Sequence, residues 1–137
     1  METKLTPHFT LDELTVTKSG LANIPTAGDI DNLRKLCRDV LEPIREKIGH
    51  PIIITSGYRS AAVNRAVGGV VTSQHLKGEA ADIHITSISS YVLYHRIKAL
   101  VAHGFIHVGQ CILYPKSHFV HVSLYTSHHQ DEFIVKH

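Results

Sequence analysis

The stretch Ser73-Gln-His-Leu-Lys-Gly-Glu-Ala-Ala-Asp-Ile-His-Ile85 changes character at its middle. Its first half closes a polar loop, Val70 to Gly78. From Glu79 to Ile85 the residues alternate, with Ala81, Ile83 and Ile85 on one side and Ala80, Asp82 and His84 on the other. That period of two predicts a strand with one face turned to a core. Asp82 stands among Ala80, Ala81 and Ile83. An ionised carboxylate in such apolar company needs a strong partner.

Upstream, the β-branched run Pro51 to Thr55 predicts a buried strand. Asp29 to Ile48 carries the longest helical pattern, with Ile30, Leu33, Cys37, Val40, Leu41, Ile44 and Ile48 on one face. Pro43 lies inside it and predicts a kink or break near Glu42, and Gly49 ends it. Thr10-Leu-Asp-Glu13 matches a capping box, and Lys18 to Gly28 reads as loop. Ser60 is placed to cap a helix through Ala66, stopped by Gly68-Gly69. Downstream, a second long helix runs from Ser89 or Ser90 to Gly104, with Val92, Leu93, Ile97, Leu100 and Val101 inward. Phe105 to Leu113 and Phe119 to Leu124 flank the turn Tyr114-Pro-Lys-Ser117 and read as an antiparallel hairpin. His128, His129 and His137 fall in a polar tail. This order predicts an α+β fold, a small, mainly antiparallel sheet with helices packed on one side, in one domain over residues 1–137.

Composition narrows the function classes. Of 137 residues 43% are hydrophobic and 19% charged, enough to bury a core. Lys plus Arg is 14 against 12 for Asp plus Glu, too balanced to point to nucleic acid or an anionic membrane as partner. No run approaches the roughly 20 apolar residues of a membrane span. Met1 to Glu13 lacks the features of a secretory signal, so a chain made in the cytoplasm is expected. A monomer is expected as well. Cys37 and Cys111 are isolated and read as core residues, which excludes thiolate zinc sites. The chain has 12 histidines, and their spacing must decide which are ligands.

Two polar spots carry chemistry. One is His75 followed seven residues later by Asp82; the other is His118-Phe-Val-His121, where Phe119, His121 and Ser123 share a face. Imidazole and carboxylate are the ligands Zn²⁺ takes without cysteine. If the two strands are neighbours, Asp82 and His121 converge, and His75 on the entering loop completes three ligands for one Zn²⁺. The fourth position stays open, the catalytic pattern. Spacing alone leaves another reading standing, in which Asp82 pairs with a basic residue and both histidines are satisfied polar groups.

Ile54-Thr-Ser-Gly-Tyr-Arg59-Ser, Val63-Asn64, Val67-Gly-Gly69, the Ser73 to Asp82 block and Phe119-Val-His-Val-Ser123 closely resemble the zinc D-Ala-D-Ala carboxypeptidase family of metallopeptidases, in its small phage and bacterial branch. Leu5 to Leu14 and Leu41-Glu-Pro-Ile-Arg45 resemble it too, so the likeness spans nearly the whole chain. The resemblance implies a hedgehog-like α+β fold. It implies zinc on His75, Asp82 and His121, with Arg59 stabilising the negative charge on the scissile carbonyl oxygen. The implied substrate is a peptidoglycan stem peptide, so action on the cell wall after release or export is expected. Where relatives carry a carboxylate base, three residues before the last ligand, this chain has His118, and no Asp or Glu occurs between Asp82 and Asp131. His118 is thus the candidate base, with a surface residue as the competing reading. Ser73, Gln74, Ser123 and His84 are candidate substrate contacts or ligand supports. The missing carboxylate also keeps open a non-catalytic wall-binding or phage structural module of the same fold; a hedgehog-like signalling domain ranks behind both.

Overall fold

The computed structural model describes residues 3–137. A two-stranded ribbon, β1 (Lys4–Thr6) and β2 (Phe9–Thr10), leads into α1 (Leu11–Leu14), whose start carries the capping box of Thr10 and Glu13. Next come α2 (Ala27–Leu36), a π-helical turn over Cys37–Leu41 and α3 (Glu42–Ile48). The kink or break expected near Glu42 takes the form of a widened turn, in which the Glu42 amide reaches back to the Cys37 carbonyl. A proline lacks the donor and crowds the preceding turn, and one wider turn absorbs both defects without ending the helix. Gly49, at φ 78°, then terminates it.

β3 (Ile53–Ser56) and α4 (Ala61–Ala66), capped by Ser60, follow. The loop after α4 holds one 3₁₀ turn, Gln74–Lys77, closed by Gly78 in the left-handed region. Then come β4 (Ala80–His84), α5 (Ser90–Ala102), β5 (Gln110–Tyr114), β6 (Phe119–Ser123) and β7 (Glu132–Val135). The five-stranded sheet has the order β3-β4-β6-β5-β7, antiparallel except for β5 with β7.

One face of this sheet makes the core. Ala81, Ile83, Cys111, Leu113, Val120 and Val122 alternate onto it, and none is more than 2% exposed. They join Leu33, Leu36 and Ile44 of the first helical stretch and Leu93 and Ile97 of α5 in one buried cluster. Each such aliphatic side chain contributes roughly 1.5–3 kcal/mol of burial free energy. Both cysteines are buried, and burial pushes the Cys37 thiol up to about 12 and the Cys111 thiol above its ordinary value. No helix among the described residues is long and apolar enough to cross a membrane.

Several expectations need correction. The run from Pro51 is an edge strand rather than a buried one, with Ile53 42% exposed. Val92 faces solvent, and Leu93, Tyr94 and Ile97 point inward. The stretch before Gln110 is not strand. The polar tail contains β7, because the short apolar run Phe133-Ile-Val135 finds a free edge on β5.

Gly57 sits where backbone crosses backbone: a Cβ there would lie 2.3 Å from the Leu14 carbonyl oxygen, which already accepts from the Tyr58 amide at 2.7 Å. We predict that Gly57→Ala lowers the denaturation midpoint by the equivalent of about 1–3 kcal/mol. Gly28→Ala, where the nearest atom is the Thr26 hydroxyl at 3.8 Å, leaves stability unchanged or raises it. Chemical denaturation of both variants checks this.

Candidate metal centre

β4 and β6 are paired so that Asp82 stands directly opposite His121. Directly opposed residues of an antiparallel pair share a face, here the one turned away from the core. His75 arrives from the 3₁₀ turn, fixed by the Ser73 hydroxyl accepting from its amide and by its carbonyl accepting from the Arg59 amide. All three side chains are buried.

The hydrogen bonds fix which atoms face one another. His75 Nδ1 lies 2.7 Å from the Gly57 carbonyl oxygen, an acceptor only, so Nδ1 carries the proton and Nε2 bears the lone pair. His121 Nε2 donates to the Gln74 side-chain oxygen at 3.0 Å, which leaves its Nδ1 lone pair. Those two lone pairs point at one oxygen, Asp82 Oδ1, from 3.3 Å and 3.0 Å. Three acceptors facing one another repel unless a proton or a cation sits among them. A tetrahedral zinc ion with bonds of about 2.0–2.1 Å spaces its ligands about 3.3–3.4 Å apart. The donor set, its spacing and its tautomers therefore fit one zinc ion.

Ionisation states agree. Burial alone would push the Asp82 carboxyl up, but with a proton on the facing ring nitrogens the hydrogen bonds of His121 and then His75 prevail and hold it well below the usual carboxylate range, a role that a cation among the three takes over. Burial also lowers His121, outweighing the attraction of Asp82, so this imidazole stays neutral as a ligand must. Asp82 Oδ2 accepts from Arg59 at 3.3 Å. Arg59 is further held by Ser56 at 2.9 Å and Asn64 at 3.3 Å. Asn64 in turn donates to the Val70 carbonyl, and Gly69 leaves room for this grip, since a Cβ there would lie 2.1 Å from Asn64 Oδ1.

A cavity of about 550 Å³ opens over the cluster. Arg59, Ser73 and Gln74 line it beside the three ligands, as do Gln110, Ile112 and Tyr114, alternate residues of β5. Not every candidate residue comes here. His118 occupies an exposed left-handed turn position at φ 58° and lines a separate cavity with His84. It lies just outside β6 and does not line the cavity over the cluster, so the structure does not bring this candidate base to the site. His84, one pleat beyond Asp82, is likewise removed from the cluster. Ser123 is fully buried, and its hydroxyl accepts from the Gln110 amide at 2.8 Å rather than touching His121. Gln74 is a ligand support and Ser73 shapes the loop. Sequence reading missed Gln110, Tyr114, His129 and Lys136 as lining residues. The period of two through β5 could have found the first two; nothing local marks the last pair.

A buried two-imidazole, one-carboxylate cluster with an arginine beside it, under an open cavity, is the kind of site that holds one metal ion within reach of a ligand. A family model described as Peptidase M15 matches residues 7–123. The chain belongs to this family, of the zinc D-Ala-D-Ala carboxypeptidase type. No curated protein matches the chain.

The low proton affinity of His121 sets a pH dependence. Its folded value lies below the ordinary 6.5, so the unfolded chain takes up the proton first. Stability from this group is present above about pH 6.5 and lost as pH falls below it. We predict that zinc affinity falls over the same window, because proton and metal compete for Nδ1. Competition with a chelating indicator between pH 5 and 8 checks both the direction and the window.

Proposed function

We propose that the protein is a zinc peptidase that hydrolyses peptidoglycan stem peptides, as a carboxypeptidase or an endopeptidase. The observation that carries this reading is the convergence of three lone pairs beneath a cavity wide enough for a peptide. Zinc, when bound, supplies Lewis acidity to water and to the scissile carbonyl. The chain's own residues do the rest. Gly57 and Gln74 hold the two imidazoles in the ligating tautomers. Arg59 pairs with Asp82 and offers a permanent positive charge beside the cavity, where the carbonyl oxygen gains negative charge. The half-apolar lining, with Val67, Val70, Ile112 and Phe119, suits short aliphatic side chains such as alanine. The fold reading goes with this proposal, a single hedgehog-like domain working as a monomer on wall fragments, with no nucleic acid or membrane partner.

One observation favours a second reading. Asp82 is the only carboxylate among the described residues lining the cavity. A wall-binding or phage structural module would need no base.

Purified protein loaded with one equivalent of zinc is expected to release a D-alanine or cut a stem-peptide bond in muropeptides, identified by mass spectrometry. Intact muropeptides with zinc bound would favour the binding module. His75→Ala and Asp82→Asn should abolish both zinc retention and cleavage. Arg59→Lys should keep zinc and lose about 100-fold in kcat.

A further inference from the structure

A peptidase needs a group that takes a proton from the attacking water and returns one to the leaving amine. The ionisable groups lining the cavity can be sorted by what they are free to do. His75, Asp82 and His121 are committed to one another. Arg59 does not release its proton. Burial, and then the Asp82 charge, push the Tyr114 phenol up, so it holds its proton at neutral pH. Lys136 is an exposed ammonium at the rim. His129 remains, and imidazole exchanges protons near neutrality.

His129 is held for that task. Its Nδ1 lies 3.1 Å and 3.2 Å from the two Glu132 carboxylate oxygens. Glu132 is itself tied by Gln110 at 3.2 Å and by the Gln130 amide at 3.3 Å. Gln110 also lines the metal cavity, so Glu132 joins two residues of its lining, Gln110 and His129. The segment is anchored in front and behind. The His129 amide and carbonyl both bond Thr126, Asp131 bonds the Val108 amide and His107, and β7 pairs with β5. With Nδ1–H donated to Glu132, the lone pair of Nε2 has no hydrogen-bond partner among the described residues, on a ring that lines the cavity. Hydrogen bonds from His129 first, and then Gln110, hold Glu132 below the usual carboxylate range.

We propose that His129, oriented by Glu132, is the proton-transfer residue of this peptidase, in place of a carboxylate base. This rests on the hydrolytic reading above. As the water oxygen bonds to the carbonyl carbon, its proton passes to His129 Nε2. As the carbon–nitrogen bond breaks, that proton goes to the leaving amine nitrogen. The imidazole ends neutral, and one water has been consumed for one peptide bond. Glu132 is a positioning residue, setting the tautomer and favouring the imidazolium. Charged or titratable groups near His129 also include Lys136 in the cavity and Lys77, Glu79 and His128 in the adjoining one.

The test compares wild type with His129→Gln and Glu132→Gln. Both variants are expected to keep wild-type zinc affinity and KM for muropeptides. His129→Gln should lose about 100-fold or more in kcat and Glu132→Gln a smaller factor. A second readout needs no turnover. In NMR titrations, zinc loading should move the His129 ring to lower pH while His128 and His137 stay put, and Glu132→Gln should move His129 in the same direction. Wild-type cleavage with both variants equally active, or activity lost only in proportion to zinc, overturns this inference and leaves the peptidase reading standing. A His129 titration indifferent to zinc overturns it as well. A zinc-loaded wild type that cleaves nothing overturns both.

Discussion

The site depends on one unfavourable contact made favourable: a buried carboxylate oxygen faced by the lone pairs of two neutral imidazoles. Left alone, these acceptors would repel and would have to take up a proton. The surrounding chain forbids easy relief. Gly57 and Gln74 hold the outer ring nitrogens, and the pairing of β4 with β6 holds Asp82 across from His121. Removing an opposed residue would leave a buried polar group unmatched, at about 1–3 kcal/mol for a neutral group and more for a charge.

Arg59 enters from the same logic. The bulge between Ile54 and Ser56 shifts the end of β3 relative to β4, and Ser56 then meets the Arg59 guanidinium. Thr55 uses its hydroxyl to bond the Asp82 carbonyl, tying the edge strand to the ligand strand. A guanidinium shared among Ser56, Asn64 and Asp82 is poorly free to wander. It is a fixed charge beside the cavity, and a fixed charge costs no reorganisation when a partner charge develops.

Much of this was legible before any coordinates. The alternation through Asp82 and His121 predicted two strands with ligands on one face, and apolar periodicity predicted both long helices. The ligand convergence followed once the two strands were placed together. Other parts were not legible, for definite reasons. His118 looked suited to proton transfer because its chemistry was readable and its left-handed turn was not. Ser123 seemed to share the site, yet its hydroxyl is consumed by a backbone amide across the hairpin. The last dozen residues read as polar tail because four residues of strand, Glu132–Val135, are too few to show a period, and a parallel partner 22 residues away leaves no local mark. These residues also lie beyond the family match, which ends at residue 123.

The claim on which all else rests is that one cation belongs among His75, Asp82 and His121. Anomalous scattering from crystals grown with zinc, measured on both sides of the zinc absorption edge, tests it most directly. A single strong peak is expected about 2.0–2.2 Å from His75 Nε2, Asp82 Oδ1 and His121 Nδ1, with a fourth position open to the cavity. No peak there, or a zinc ion held only by surface histidines such as His128, would contradict it.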